Sequence, residues 1–155
     1  MFECDIINRE DYYPSINEND EEYQIALKEL EYMNEFRKSH GLGNLKIDLD
    51  LVNLVYDDII SIFDTGNLNI GGITNDRGEN LGQYLLLQTS NNTYPLGFAT
   101  ENWYNSRKGS FGEDDCFISN KTTNYGFGVI CVSDGCIAIA YFYPSNSSSG
   151  YGLIN

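Results

Sequence analysis

The period of the apolar residues changes once along this chain, and that change limits the class of fold open to it. In the first two thirds they recur at three and four, as on one face of a helix: Tyr23, Ala26, Leu27, Leu30 and Met33, then Leu51, Val52, Leu54, Val55, Ile59 and Ile62. From Gly126 the spacing becomes that of extended chain, in residues 126–132 and 137–143, with Ser133-Asp134-Gly135 between them. The late segments predict a β-hairpin closed by an Asp-Gly turn. Helices first and a hairpin last around one core make an α+β arrangement. The 155 residues suffice for one domain.

The individual elements follow from their punctuation. The first helix runs from Tyr23 to His40-Gly41-Leu42-Gly43, where glycine supplies the left-handed stop. Asp48 or Asp50 caps the second, whose apolar residues cover much of its circumference. Residues 64–78 read as a long loop, 81–88 as a short apolar helix, and about 97–108 as a third helix around Trp103 and Tyr104. Gly126-Phe127-Gly128 is assigned to strand packing, since no helix follows it to hold a phosphate. Tyr141, Phe142 and Tyr143 place rings on both faces of the last strand, so both faces of the sheet need cover.

Charge removes several functions. Nine Lys and Arg against 23 Asp and Glu leave a net charge of −14, which speaks against nucleic acid and against anionic lipid surfaces as partners. No apolar run reaches the roughly 18 residues of a membrane span. The single histidine, His40, excludes multi-histidine zinc sites and paired-imidazole catalysis. A Ser-His-Asp or Cys-His hydrolase would have to use that residue, which sits at a helix end where its ring is expected to meet the last carbonyls. Residues 1–22 form an acidic N-terminal arm, with 23–155 as the domain proper. Within the arm Tyr12, Tyr13, Glu21 and Glu22 are candidate contacts for a protein partner or larger assembly. The segment after Met1 lacks the basic start and apolar stretch of a signal peptide, so the chain is expected to be extracellular if Met1 marks a trimmed start and cytoplasmic otherwise. Sequons at Asn91, Asn120 and Asn146 suit export. Four cysteines, Cys4, Cys116, Cys131 and Cys136, allow three pairings or four free thiols. A disulfide between Cys131 and Cys136 stays open: they face each other if four residues form the loop, and fall out of register with a two-residue Asp-Gly turn.

Five stretches, in order, resemble the CAP superfamily of cysteine-rich secretory, venom-antigen and plant pathogenesis-related proteins. Met33-Asn34-Glu35-Phe36-Arg37 is similar to its first-helix signature, and Asn44-Leu45-Lys46-Ile47-Asp48 to its L-x-W-D approach to the second helix. Gly78-Glu79-Asn80-Leu81 matches G-E-N-L, Trp103-Tyr104 its later tryptophan pair, and residues 125–146 its closing hairpin. The resemblance implies a three-layer α-β-α sandwich of the CAP (SCP) type.

It also implies a central cleft with two histidines and two glutamates able to hold a cation. Glu79 falls on the first glutamate, Ser106 stands at the second, Glu113 replaces one histidine, and residues 64–77 contain none for the other. Zinc prefers nitrogen and sulfur donors, so no resident metal or cofactor is expected, and Glu79 with Glu113 and Asp114 or Asp115 would attract at most a hard cation such as Ca²⁺ or Mg²⁺. Glu79 is instead expected to hold the start of a helix at Asn80. The family's lipid-binding loop corresponds to residues 106–111, which carry only Phe111 as an aromatic. Three readings follow: a non-catalytic CAP-like domain acting as a protein-binding or structural component; a secreted sterol or lipid binder; and a cation-dependent hydrolase using Glu79 and Glu113.

Overall fold

The structure is a computed structural model that describes residues 16–67, 82–111 and 118–144. Its elements are helix α1 (Glu21–Ser39), strand β1 (Lys46–Ile47), helix α2 (Leu49–Thr65), strand β2 (Gln83–Thr89), helix α3 (Phe98–Arg107), strand β3 (Asn124–Val132) and strand β4 (Gly135–Tyr143). The strands form one sheet in the order β1-β3-β4-β2, with β1 parallel to β3 and the other pairs antiparallel.

Both faces of that sheet are buried. On one, Leu85, Phe127, Ala138, Ala140 and Phe142 pack with Ala26, Leu30 and Met33 of α1 and Ala99 and Trp103 of α3. On the other, Ile137, Ile139 and Tyr141 of β4 pack against Leu51, Val55, Ile59 and Ile62 of α2. The result is the three-layer α-β-α sandwich that the sequence implied. Burial on both sides explains why eight of the nine residues of β4 are buried without alternation.

Local chemistry sets the helix ends. Asp48 caps α2, one carboxylate oxygen accepting from the amides of Asp50 at 3.0 Å and Leu51 at 3.3 Å. Its other oxygen accepts from the Asn124 side chain at 2.8 Å, which ties the helix start to β3. Gly66, with φ of 72°, ends α2 by donating to the Ile62 carbonyl.

Two expectations are corrected. Residues 81–88 are not a helix; Gln83–Thr89 is strand β2, paired along its length with β4. Leu85 faces one apolar layer and Tyr84 and Leu86 the other, and a short run that is apolar on both sides carries no period to separate strand from helix. The hairpin turn also sits one residue earlier than the Asp-Gly reading placed it. Val132 pairs with Gly135, so Ser133-Asp134 is the turn and Cys131 lies directly opposite Cys136. Those two cysteines are joined by a disulfide, with Cα atoms 4.0 Å apart.

The approach of α2 to β3 requires glycine. A Cβ on Gly126 would lie 2.5 Å from Cβ of Leu51 and 2.6 Å from its carbonyl carbon; one on Gly128 would lie 2.7 Å from the Tyr56 ring and from Val55. The Gly126 contact is with helix backbone, which cannot rotate away. Gly126→Ala is therefore expected to lower unfolding free energy by about 1–3 kcal/mol in urea titrations. Gly128→Ala, which meets only side chains, should cost less.

Candidate functional site

Of the three cleft positions named from the sequence, only Ser106 lies among the described residues; Glu79 and Glu113, and with them the expected helix start at Asn80, lie outside. Ser106 is near the C-terminal end of α3, is exposed, and donates its hydroxyl to the Trp103 carbonyl at 3.0 Å. Among the described residues no group of three or more His, Cys, Asp or Glu side chains could hold a metal ion. His40 does not meet the last helix carbonyls, because the amides of His40, Gly41 and Leu42 already occupy those of Arg37 and Lys38. Its ring turns instead to the Tyr104 hydroxyl, at 3.1 Å, and stands edge-on to Phe111.

The signature residues of the first helix hold the chain in place. The side chain of Asn34 accepts from the Leu45 amide at 2.8 Å and donates to the Leu45 carbonyl at 3.2 Å, fixing the approach to β1 as a neighbouring strand would. Arg37, buried at 2% exposure, donates to the carbonyls of Gly43 at 3.1 Å and Ser119 at 2.9 Å, so one guanidinium joins two loops distant in sequence. Trp103 reaches across the layer to donate to the Leu86 carbonyl on β2 at 3.2 Å.

A polar centre that the sequence reading missed lies between α1 and α3. Glu29 is fully buried. One carboxylate oxygen accepts from the Tyr94 hydroxyl and the Gly97 amide, both at 2.8 Å; the other accepts from the Thr100 hydroxyl at 2.6 Å and the Thr100 amide at 3.2 Å. The carboxylate thus caps α3 from a different helix, meeting the orphan amides and the positive end of its dipole. The signal was present: position 29 falls three residues after Ala26 and four before Met33, inside the buried stripe of α1. The same network fixes the 94–97 segment, which forms one wall of a groove.

That groove has a volume of about 1000 Å³ and lies among the N-terminal end of α1, the α2 face, the 93–96 segment and the far half of β3. Asp20, Glu21 and Glu22 line one side of it; Ile25, Ile60, Leu96 and Ile130 supply apolar wall. Glu21 and Glu22, singled out from composition, are therefore brought to one concave surface, whereas Tyr12 and Tyr13 lie outside the described residues. Tyr56 also lines the groove, its hydroxyl accepting from the Val129 amide at 3.3 Å. Burial pushes the Tyr56 phenol up to about 12; the Val129 bond opposes the shift, and the charges of Glu22 and Glu21 add to it.

Four further phenols move in the same direction: Tyr84 by burial, and Tyr94, Tyr125 and Tyr141 chiefly by burial and next by the charges of Glu29 or Asp58. Tyr141 donates to Asp58 across the α2 face of the sheet. A phenol raised in the fold contributes stability that is complete below its unfolded pKa, about 10, and is lost as pH climbs through the folded value. The urea midpoint should therefore be flat to about pH 9 and fall from about pH 10 upward, with a late step of tyrosinate absorbance, that of the buried phenols, rising together with loss of circular dichroism. Glu29→Ala leaves four donors without their acceptor and is expected to cost about 3 kcal/mol or more in the same titration, Glu29→Gln clearly less.

The sequence model of the "CAP: Cysteine-rich secretory protein family" matches residues 30–143. No curated protein matches the chain. Among solved structures, venom allergen-like protein 4 of Schistosoma mansoni superposes with a TM-score of 0.59 at 15% identity, over 84% of this chain and 94% of that one. An outer surface protein of Borrelia burgdorferi gives 0.56 at 19% identity, over 84% and 96%. A cysteine-rich secretory protein of Staphylococcus aureus gives 0.54 at 16% identity, over 80% of this chain and 40% of that one. At these identities the structures speak for the fold alone. The matched span takes in the Asn34 and Arg37 pins, the Trp103 helix and the whole closing hairpin, and on that ground the chain belongs to the cysteine-rich secretory protein (CAP) family.

Proposed function

We propose that this chain is a non-catalytic CAP domain that binds a protein partner through the groove between α1, α2 and β3. The observation that carries the reading is the make-up of that groove, an apolar wall of Ile25, Ile60, Leu96 and Ile130 beside Asp20, Glu21 and Glu22. An apolar centre with a charged margin is the usual anatomy of a protein interface. The family's other site supports the same direction through its residue types. Ser106 offers no carboxylate, Glu113 stands where a histidine would, and the chain's single imidazole is engaged with Tyr104. Members of this family are generally secreted, and the Cys131–Cys136 disulfide fits an oxidising compartment.

A second reading, a carrier of a sterol or other neutral lipid, is favoured by one number. The groove's volume, about 1000 Å³, stands at the upper end of the range for small-molecule sites.

A photo-crosslinking amino acid placed at Glu22 or Leu96, and at Lys121 as an exposed control, separates the two. In native extract the first two positions should yield protein adducts that the control does not. Glu79→Ala and Glu113→Ala should leave those adducts unchanged. Adducts absent from both groove positions, together with a lipid mass extracted from the purified chain, would transfer the assignment to the second reading.

A further inference from the structure

Among the described residues, the wall of the groove formed by β3 is an unpaired sheet edge. β1 covers β3 only at Asn124 and Tyr125, while β3 itself continues to Val132. Among the described residues no other strand lies on that side of it. The direction of its backbone groups follows from bonds already present. Thr123 and Tyr125 turn their carbonyls away from β4, toward Lys46 and Asp48, whose amides donate to them at 2.8 Å each. Val129 turns its amide the same way, onto the Tyr56 hydroxyl. Along an antiparallel ladder this direction repeats every second residue, so the Val129 carbonyl and both backbone groups of Cys131 point away from β4 as well. The disulfide agrees, since Cys131 and Cys136 then form a non-hydrogen-bonded pair, the kind whose Cα atoms lie closest. Val129, Ile130 and Cys131 all line the groove.

We infer that the partner enters the groove as an extended, basic peptide segment that adds a short strand to β3 at Val129–Cys131. The inference rests on the reading of the groove as a protein site and names the partner's conformation and charge. Main-chain pairing gives an extended segment affinity independent of its sequence, and side chains at alternate positions supply the selection. Here one set of side chains meets the apolar wall of Ile60 and Ile130. The other set passes the lip of Asp20, Glu21 and Glu22, and among the described residues no basic side chain lines the groove to neutralise those acids. Lysine or arginine at alternate positions is the complement, and an acidic segment is repelled. The Tyr56 hydroxyl, already on Val129, limits pairing to the hairpin end of the strand.

The test uses the oxidised full chain and four fluorescent probes, read by anisotropy. They are a capped peptide of alternating lysine and valine, the same peptide N-methylated at alternate amides, its glutamate counterpart, and a neutral sterol. The lysine peptide should saturate the protein and shift the backbone amide resonance of Cys131. N-methylation, which removes pairing donors, should weaken it at least about tenfold, as should the exposed pair of substitutions Glu21→Lys and Glu22→Lys. The glutamate peptide should not bind. Equal binding of the N-methylated peptide would overturn strand addition while leaving the groove a protein site. Indifference to the lysine substitutions would overturn the basic character of the partner. Failure of every peptide overturns the inference, and saturation by the sterol in that case overturns the protein-site reading too.

Discussion

The contact between α2 and the two glycines of β3 sets the geometry of everything beside it. Because Gly126 and Gly128 carry no Cβ, the helix backbone at Leu51 and Val52 lies directly on the strand. That closeness lets Tyr56, one turn further along α2, reach around the strand and take the Val129 amide. It also brings Ile60, one turn beyond, to the groove wall. A Cβ at Gly126 would press on the helix backbone, whereas one at Gly128 would press on the side chains of Val55 and Tyr56, the second being the ring whose hydroxyl holds the Val129 amide. The layer spacing and the shape of the groove are thus consequences of one absent atom at each of two positions.

The parts of the fold legible in the sequence were those with a clear period or a chemical stop. α1, α2 and α3 were placed within a few residues of their observed ends, since glycines and Asp48 mark the boundaries and the apolar stripes are long. β2 was misread because burial on both faces erases alternation, and seven residues are too few for length to arbitrate. The hairpin was found but its turn was displaced by one residue, since Asp-Gly is the stronger local signal. Pairing across nine residues of each strand overrides a two-residue preference. Glu21 and Glu22 were legible as a charged run but not as one side of a groove, which needs the far half of β3 brought alongside by the sandwich.

Glu29 was missed for a different reason. Sequence reasoning treats a glutamate in a helix as solvated, because burying an unpaired carboxylate is costly. The cost is met by four donors, all on Tyr94, Gly97 and Thr100, which lie more than sixty residues away in sequence. Only the fold reveals them. The network makes α3 a helix capped from outside its own chain segment, and it links the position of the 94–97 wall to the position of α1. Groove and cap share a wall, since the carboxylate that caps α3 also holds the Tyr94 hydroxyl, and Tyr94 lines the groove.

The acidic lip raises an energetic question of its own. Three adjacent carboxylates, Asp20, Glu21 and Glu22, repel one another and, among the described residues that line the groove, are opposed by no cation. Their place in the chain offsets part of this. They occupy the N-cap and first turn of α1, where the positive end of the helix dipole favours anions, and Asp20 accepts from the Asn17 amide at 2.9 Å. The dipole therefore stabilises an arrangement that a loop would spread apart, and holds the negative field in front of the apolar wall whether or not anything is bound. In the proposed complex such a preset field would act mainly on the encounter with a cationic segment, while the apolar wall and the strand edge would govern how long it stays.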